Sequence, residues 1–342
     1  MIDTDLRVAA LGGGSGLPVV LRGLKRALLD VAPPGDPRRL TAIVTVADDG
    51  GSSGRLRREH GVLPPGDVRN CLLALSDGDR LLADLFDYRF HGHGETAGHS
   101  LGNLILTALA DIERGFDRAV AGCARLLTVR GQVLPATLDP VTLCAEFADG
   151  TVVRGESRIP RVRRRVRRLS LEPAAARAVP AAVTALEAAD LVVIGPGSLY
   201  TSLLPILLVR DIAAAIARSR ARVVLVANLM TEPGETDGYT ALDHVEAIRR
   251  HAPGVRIHDV LLNTEPIPPA ALARYAAETA RCVAPTPDLV RAAGCRPVAR
   301  PLLAPGPHIR HDAARLGRAL VELGARRAVE GVGELTWSTR RI

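Results

Sequence analysis

The sequence predicts an α/β fold, a Rossmann-like, doubly wound and mainly parallel sheet with a small insertion that contains a β-hairpin. Three observations carry this. The chain opens with an apolar run, Leu6 to Leu11, then a glycine turn, Gly12 to Gly16, then an amphipathic helix in which Leu17, Val20, Leu21, Leu24 and Leu28 recur with helical period. Strand and helix patterns alternate again from Leu191 onward, the order of a parallel sheet with crossover helices. Between these regions, around Val141, the apolar period switches from helical to alternating.

Taken in order, the first strand has the length and branching of a buried parallel strand. A link bearing Pro33, Pro34 and Pro37 leads to a second, Thr41 to Ala47, which ends in Asp48-Asp49-Gly50-Gly51-Ser52-Ser53-Gly54. Helices are expected from Asp67 to Leu75 and from Arg80 to about Tyr88. Leu101, Leu104, Ile105, Ala108, Leu109 and Ile112 form one apolar helical face, with Ser100 placed to cap it. Val141, Leu143, Ala145 and Phe147 alternate, and Asp149-Gly150 turns them into Thr151 to Gly155, a hairpin. Strand Leu191 to Ile194, strand Val223 to Ala227, helix Tyr239 to Arg250, strand Ile257 to Leu262 and a helix from Asp312 to about Arg326 complete the pattern. Residues 1–135 thus form the first part of the Rossmann-like domain, 136–172 the hairpin and arginine-rich insertion, and 173–342 the second part with the C-terminal helix.

Composition narrows the function classes. With 342 residues, 47% hydrophobic and 24% charged, the chain is ordinarily globular, and its 3% aromatic content argues against base-stacking surfaces. Of the net charge of +7, seven positive charges come from Arg158, Arg161, Arg163, Arg164, Arg165, Arg167 and Arg168, so the remainder is formally neutral. Ile159, Val162, Val166 and Leu169 follow helical spacing through this run, which predicts one buried face; the charged rest reads as a solvated face or as a surface for an anionic partner. Nucleic acid is a disfavoured partner. Cys71, Cys123, Cys144, Cys282 and Cys295 lack paired spacing and read as reduced, mostly buried thiols. Met1 to Asp5 passes straight into a strand without the basic start and apolar core of a signal peptide, and no apolar run reaches the roughly twenty residues of a membrane span. A cytoplasmic protein is expected.

Four polar loops fall at the C-terminal ends of expected parallel strands, where open α/β sheets bind ligands. In the first, Gly12, Gly13, Gly14, Ser15 and Gly16 let a phosphate approach the backbone and the helix N-terminus; a tight structural turn is the plain alternative. Leu17 replaces the third glycine of the dinucleotide fingerprint, and the Gly-Lys-Ser/Thr ending of a P-loop is missing, so NAD and ATP hydrolysis are both disfavoured. Asp48 and Asp49 suit a ribose hydroxyl or a divalent cation such as Mg²⁺, or simply a turn. Asp67 is placed to cap a helix, with Arg69 and Asn70 in the next turn able to reach a phosphate or base. Gly195, Gly197, Ser198, Tyr200 and Thr201 combine backbone donors with hydroxyls and suit an anion. Asn228, Thr231, Glu235 and Asp237 suit sugar hydroxyls, with ordinary capping by Asp237 as the alternative. His91, His93 and His99 lack partners at metal-ligand spacing.

Gly12 to Leu17, Val44 to Arg57 and Leu63 to Asn70 together resemble the gluconeogenesis factor family of the YvcK type. Gly98 to Asn103, Val133 to Thr137, Gly195 to Leu204 and Asn228 to Gly238 resemble its later blocks in the same order, over about residues 7 to 312. The resemblance implies a Rossmann-like fold related to the phospholactate transferase CofD and a cytoplasmic protein that binds UDP-N-acetylglucosamine. It also implies a role in gluconeogenic growth, cell shape and cell-wall precursor supply, with no reaction firmly assigned. It adds His99, Asn103, Tyr275 and Arg310 to the expected nucleotide-sugar contacts. Ser15 stands in place of the usual threonine, keeping the hydroxyl, and Ala313 stands where some relatives carry a phosphorylatable threonine. A Mg²⁺-dependent, CofD-like transferase is the alternative activity. The catalytic residues, a protein partner and homo-oligomerisation are left open.

Overall fold

The structure, a computed structural model, describes residues 6–30 and 35–333, with side chains described as far as 325. Met1 to Asp5 and the linker prolines Pro33 and Pro34 lie outside the described residues. Seven parallel strands form the central sheet: β1 (Val8–Gly12), β2 (Leu40–Val44), β3 (Gln132–Pro135), β7 (Leu191–Ile194), β8 (Arg222–Val226), β9 (Asp259–Asn263) and β10 (Arg296–Arg300), in the order β10-β9-β8-β7-β1-β2-β3. A second, antiparallel sheet holds β4 (Thr142–Phe147), β5 (Val152–Arg154) and β6 (Val166–Glu172) in the order β5-β4-β6.

The chain runs outward from β1 through β2 to β3, then returns to β7 on the other side of β1. Strand order therefore reverses between β1 and β7, where the loops leaving the two strand ends part and open a crevice. β1, β2 and β7 are buried along their whole length, as strands covered by helices on both faces must be. The flanking helices include α1 (Gly16–Leu24), α2 (Gly51–His60), α3 (Gly66–Leu75), α4 (Arg80–Asp87), α5 (Leu101–Ile112) and α6 (Phe116–Leu126), and the C-terminal helix Ala313–Gly333 packs along α1. Ser100 does cap α5, its side chain accepting from the Asn103 N–H at 3.2 Å.

The expected hairpin is present, with Asp149-Gly150 at its turn, but the arginine run behind it is not helical. Short 3₁₀ turns, Glu156–Arg158 and Pro160–Val162, lead into strand β6, which pairs with β4. The helical spacing of Val166 and Leu169 misled because a register shift opposite Glu146 and Phe147 puts both on the inner face despite their odd separation. β3 and β10 have no counterpart in the sequence expectation. Each carries a proline, Pro135 and Pro297, and each is a sheet edge, the one place a parallel sheet tolerates it.

All five cysteines are unpaired; four are buried and Cys282 is exposed. Among the described residues no single helix is long and apolar enough to cross a membrane.

Candidate functional site

The loops at the C-terminal edge of the sheet are tied to one another. α1 starts at Gly16 with no side chain capping it: Ser15 occupies the cap position but bonds none of the first-turn N–H groups. α2 likewise starts behind Gly50 without a side-chain cap. Two helix N-termini, each carrying partial positive charge, are thus left free of side-chain acceptors at the ends of β1 and β2. The β1 loop lies directly on the β7 loop, and a Cβ on Gly16 would overlap the Pro196 carbonyl. Only glycine permits that approach.

Asp67 does not cap its helix. Pro65 occupies the cap position of α3, and Asp67, one turn-residue inside, accepts from the Gly14 N–H and so fastens α3 to the glycine loop. Burial pushes its carboxyl up to about 6, with the nearby Asp48 charge adding to the shift. Asp48 accepts from the Gly50 N–H at 2.8 Å, and burial raises it as well. Ser53 Oγ accepts from the Gly66 N–H at 3.2 Å, joining the start of α3 to α2. Ser52 Oγ lies 2.8 Å from His99 Nδ1 and accepts from Asn103 Nδ2 at 3.1 Å. His99 and Asn103 thereby hold α2 in place through a buried network. Arg69 is buried between α3, α4 and α5, donating to Asn70 Oδ1 at 2.5 Å, with Nε and Nη1 unbonded.

On the other side of the switch point, the polar side chains of the β8 loop are committed to the scaffold. Asn228 makes two bonds to Gly197, accepting from its N–H at 3.0 Å and donating to its carbonyl at 2.9 Å. Glu235 Oε2 accepts from the Tyr200 N–H at 3.2 Å and Oε1 lies 2.9 Å from Thr201 Oγ1, so this carboxyl caps the turn Leu199–Leu203. Burial, then the charge of Glu232, raises Glu235 to about 8. Ser198 bonds to Glu232. Thr231 exchanges bonds with Arg281, its N–H donating to the carbonyl at 2.7 Å and its Oγ1 accepting from the N–H at 2.9 Å. Asp237 accepts from the Gly234 N–H at 2.7 Å, closing a turn; the next helix, Ala241–His251, is capped instead by a Thr240–Asp243 box. Tyr200 is fully buried and spends its hydroxyl on Tyr239 at 2.7 Å.

Tyr275 and Arg310, far apart in sequence, share a neighbourhood: Tyr275 Oη accepts from the Ile309 N–H at 3.2 Å. Arg310 itself is exposed and stands close enough to α1 that its charge, after partial desolvation, helps push the Arg22 guanidinium down.

Spacing gave no hint of Glu156. The insertion brings it to the crevice: Ser157 N–H donates to Asp49 Oδ1 at 2.9 Å on one side, and the Pro160 carbonyl packs where a Cβ on Gly234 would stand on the other. Burial, followed by the charges of Asp48, Glu235, Asp49 and Asp67, raises Glu156 to about 8. Its position after Gly155 at the hairpin's end was the only visible signal. Among the described residues no three His, Cys, Asp or Glu side chains are grouped to hold a metal ion.

Fold and loops together define a Rossmann-like α/β protein with its candidate site at the switch point of the sheet. The profile of the 2-phospho-L-lactate transferase CofD family matches residues 8–303, and the chain belongs to that family. Within it, the chain is 45% identical to the gluconeogenesis factor of Bacillus subtilis, covering 93% of this chain and 98% of that protein. It is also 45% identical to the gluconeogenesis factor of Halalkalibacterium halodurans, over 92% and 95%. The fold matches a crystal structure of a UPF0052 family member from Bacillus halodurans with a TM-score of 0.87 at 44% identity, over 92% of this chain and 99% of that one.

Proposed function

We propose that this protein binds a nucleotide diphosphate sugar of the UDP-N-acetylglucosamine type at the switch-point crevice and acts as a gluconeogenesis factor, linking carbon metabolism to cell shape and cell-wall precursor supply. The observation that carries this reading is the pair of helix starts, α1 and α2, left without side-chain caps at adjacent strand ends. Free first-turn N–H groups in such a place are donors for phosphate oxygens. Ser15 adds a hydroxyl beside them. Arg310 and Tyr275, neighbours through the Ile309 N–H, add a cation and an aromatic ring to this reading, and Asp67 holds the glycine loop in shape. Asn228, Thr231, Glu235 and Asp237 contribute by fixing the loops, since their hydrogen-bonding capacity is already engaged.

Titration calorimetry of the whole protein with UDP-N-acetylglucosamine tests it. Saturable one-site binding is expected, and its absence in protein shown by circular dichroism to be folded would remove the reading. Membership of a family described as a phospholactate transferase supports a second reading, transfer of a phosphoryl-linked group. Incubation with the nucleotide sugar, Mg²⁺ and candidate acceptors separates the two: intact ligand recovered throughout favours binding alone, and a new phosphorus-containing product favours transfer.

A further inference from the structure

Charge is divided unevenly across the crevice. The uncapped start of α1 stands on one side. Asp48 and Asp49 from the β2 loop, Asp67 from α3, Glu235 from the β8 loop and Glu156 from the insertion stand on the other, close enough that the first four all act on Glu156. A diphosphate placed beside the acidic end of β2 would meet like charge, whereas a neutral polyol can both donate to and accept from carboxyl groups. The polarity of the crevice therefore orients a nucleotide sugar, with phosphates toward the start of α1 and the sugar toward the insertion.

The acidic groups are not equivalent. Asp48 accepts from a backbone N–H of its own loop, and Asp49, Asp67 and Glu235 each accept from one of a neighbouring loop. Glu156, among the described residues, has neither a side-chain hydrogen bond nor an ion pair, and it is half-buried. Its backbone is nevertheless fixed on both flanks, by Ser157 on Asp49 and by Pro160 on Gly234. A rigidly mounted, uncommitted carboxyl is what a ligand hydroxyl requires, because the group has no internal bond to give up on binding.

We propose that Glu156 is the specificity-determining residue for the sugar, accepting from and donating to its hydroxyls while taking no part in holding the nucleotide. This rests on the nucleotide-sugar reading above. The test compares the affinities of UDP and UDP-N-acetylglucosamine, by calorimetry on the full chain, for the wild type, Glu156→Ala and Glu156→Gln. The wild type is expected to bind the nucleotide sugar more tightly than UDP. Glu156→Ala should bind UDP as the wild type does but lose about tenfold for the nucleotide sugar, the scale of one to two hydrogen bonds. Glu156→Gln, which keeps a donor and an acceptor, should restore affinity to within about threefold of wild type. A split between UDP and the nucleotide sugar that persists in Glu156→Ala overturns the proposal and leaves the nucleotide-sugar reading standing. So does an equal loss for both ligands, a Gln variant as weak as the Ala variant, or a wild type that does not distinguish the two. A folded wild type that binds neither ligand removes the reading itself and Glu156's role with it.

Discussion

At the scale of single residues, the crevice depends on atoms that are missing as much as on those present. Gly16 lies against the Pro196 carbonyl with no room for a Cβ, and the obstacle is backbone, which cannot swing aside as a side chain would. Gly16→Ala must therefore push the β1 and β7 loops apart. We expect a loss of about 1–3 kcal/mol in stability, the range for overpacking, and a loss of at least about tenfold in nucleotide-sugar affinity. Chemical denaturation and calorimetry would measure the two, and an alanine variant of wild-type affinity would show that the loop contact is dispensable for binding. Asn228 works at the same scale and in the opposite way, adding a side chain that substitutes for a backbone partner on Gly197.

At the scale of elements, the strands β8, β9 and β10 share one buried anion. Asp259, fully buried at the start of β9, accepts from Arg222 Nη2 of β8 at 3.1 Å and from Arg296 Nε of β10 at 2.6 Å. One carboxylate thus links three adjacent strands at the edge of the sheet opposite the crevice. Removing Asp259 takes a shared acceptor from two charged donors, a change that costs about 1.5–3 kcal/mol. Asp259→Ala should lose stability on that scale in denaturant unfolding while its folded fraction keeps wild-type nucleotide-sugar affinity, since the site lies at the other ends of the strands. A loss below about 1 kcal/mol would show that the strand register does not rely on this pair. The insertion is tied to the sheet's helices in a similar but weaker way: the Leu169 N–H donates to His251 Nε2 at 3.0 Å while His251 Nδ1 lies 2.8 Å from the Ala247 carbonyl, an arrangement that requires the neutral imidazole.

At the scale of the whole molecule, gathering carboxyls into one crevice makes stability depend on pH. Asp67, raised to about 6, and Glu156 and Glu235, each raised to about 8, hold protons in the folded state that the unfolded chain has already released. The folded state therefore binds more protons, and stability falls as pH rises: this contribution is complete below the unfolded carboxyl range near pH 4 and is lost as pH passes through 6 and then 8. Buried histidines, lowered by desolvation, act in the opposite sense, but only below about pH 6.5. Between pH 6.5 and 8.5 the carboxyls dominate. The melting temperature of the ligand-free protein should drop across that interval, and Glu235→Gln, which preserves both hydrogen bonds without the ionisation, should drop less. Equal slopes for the two proteins would show that Glu235 is already ionised in the folded state at neutral pH.

How much of this was legible beforehand follows from range. The Rossmann-like class, the central strands β1, β2, β7 and β8, the hairpin and the Ser100 cap could be read because each is set by residues adjacent in sequence, through apolar period, turn chemistry and local hydrogen bonds. The glycine loops and the acidic strand ends could be read for the same reason, and the ordered motifs pointed to the family. The sequence by itself thus determined which elements form and which loops gather at one edge of the sheet. Only the tertiary structure decided what the polar side chains there do. Asp67 turned from helix cap to loop fastener, Asn228 and Glu235 became scaffold, the end of the arginine run became strand β6, and Glu156 arrived from the insertion. Each of these is fixed by partners many residues distant, and a hydrogen bond or buried charge between distant segments leaves no periodicity in the chain that makes it.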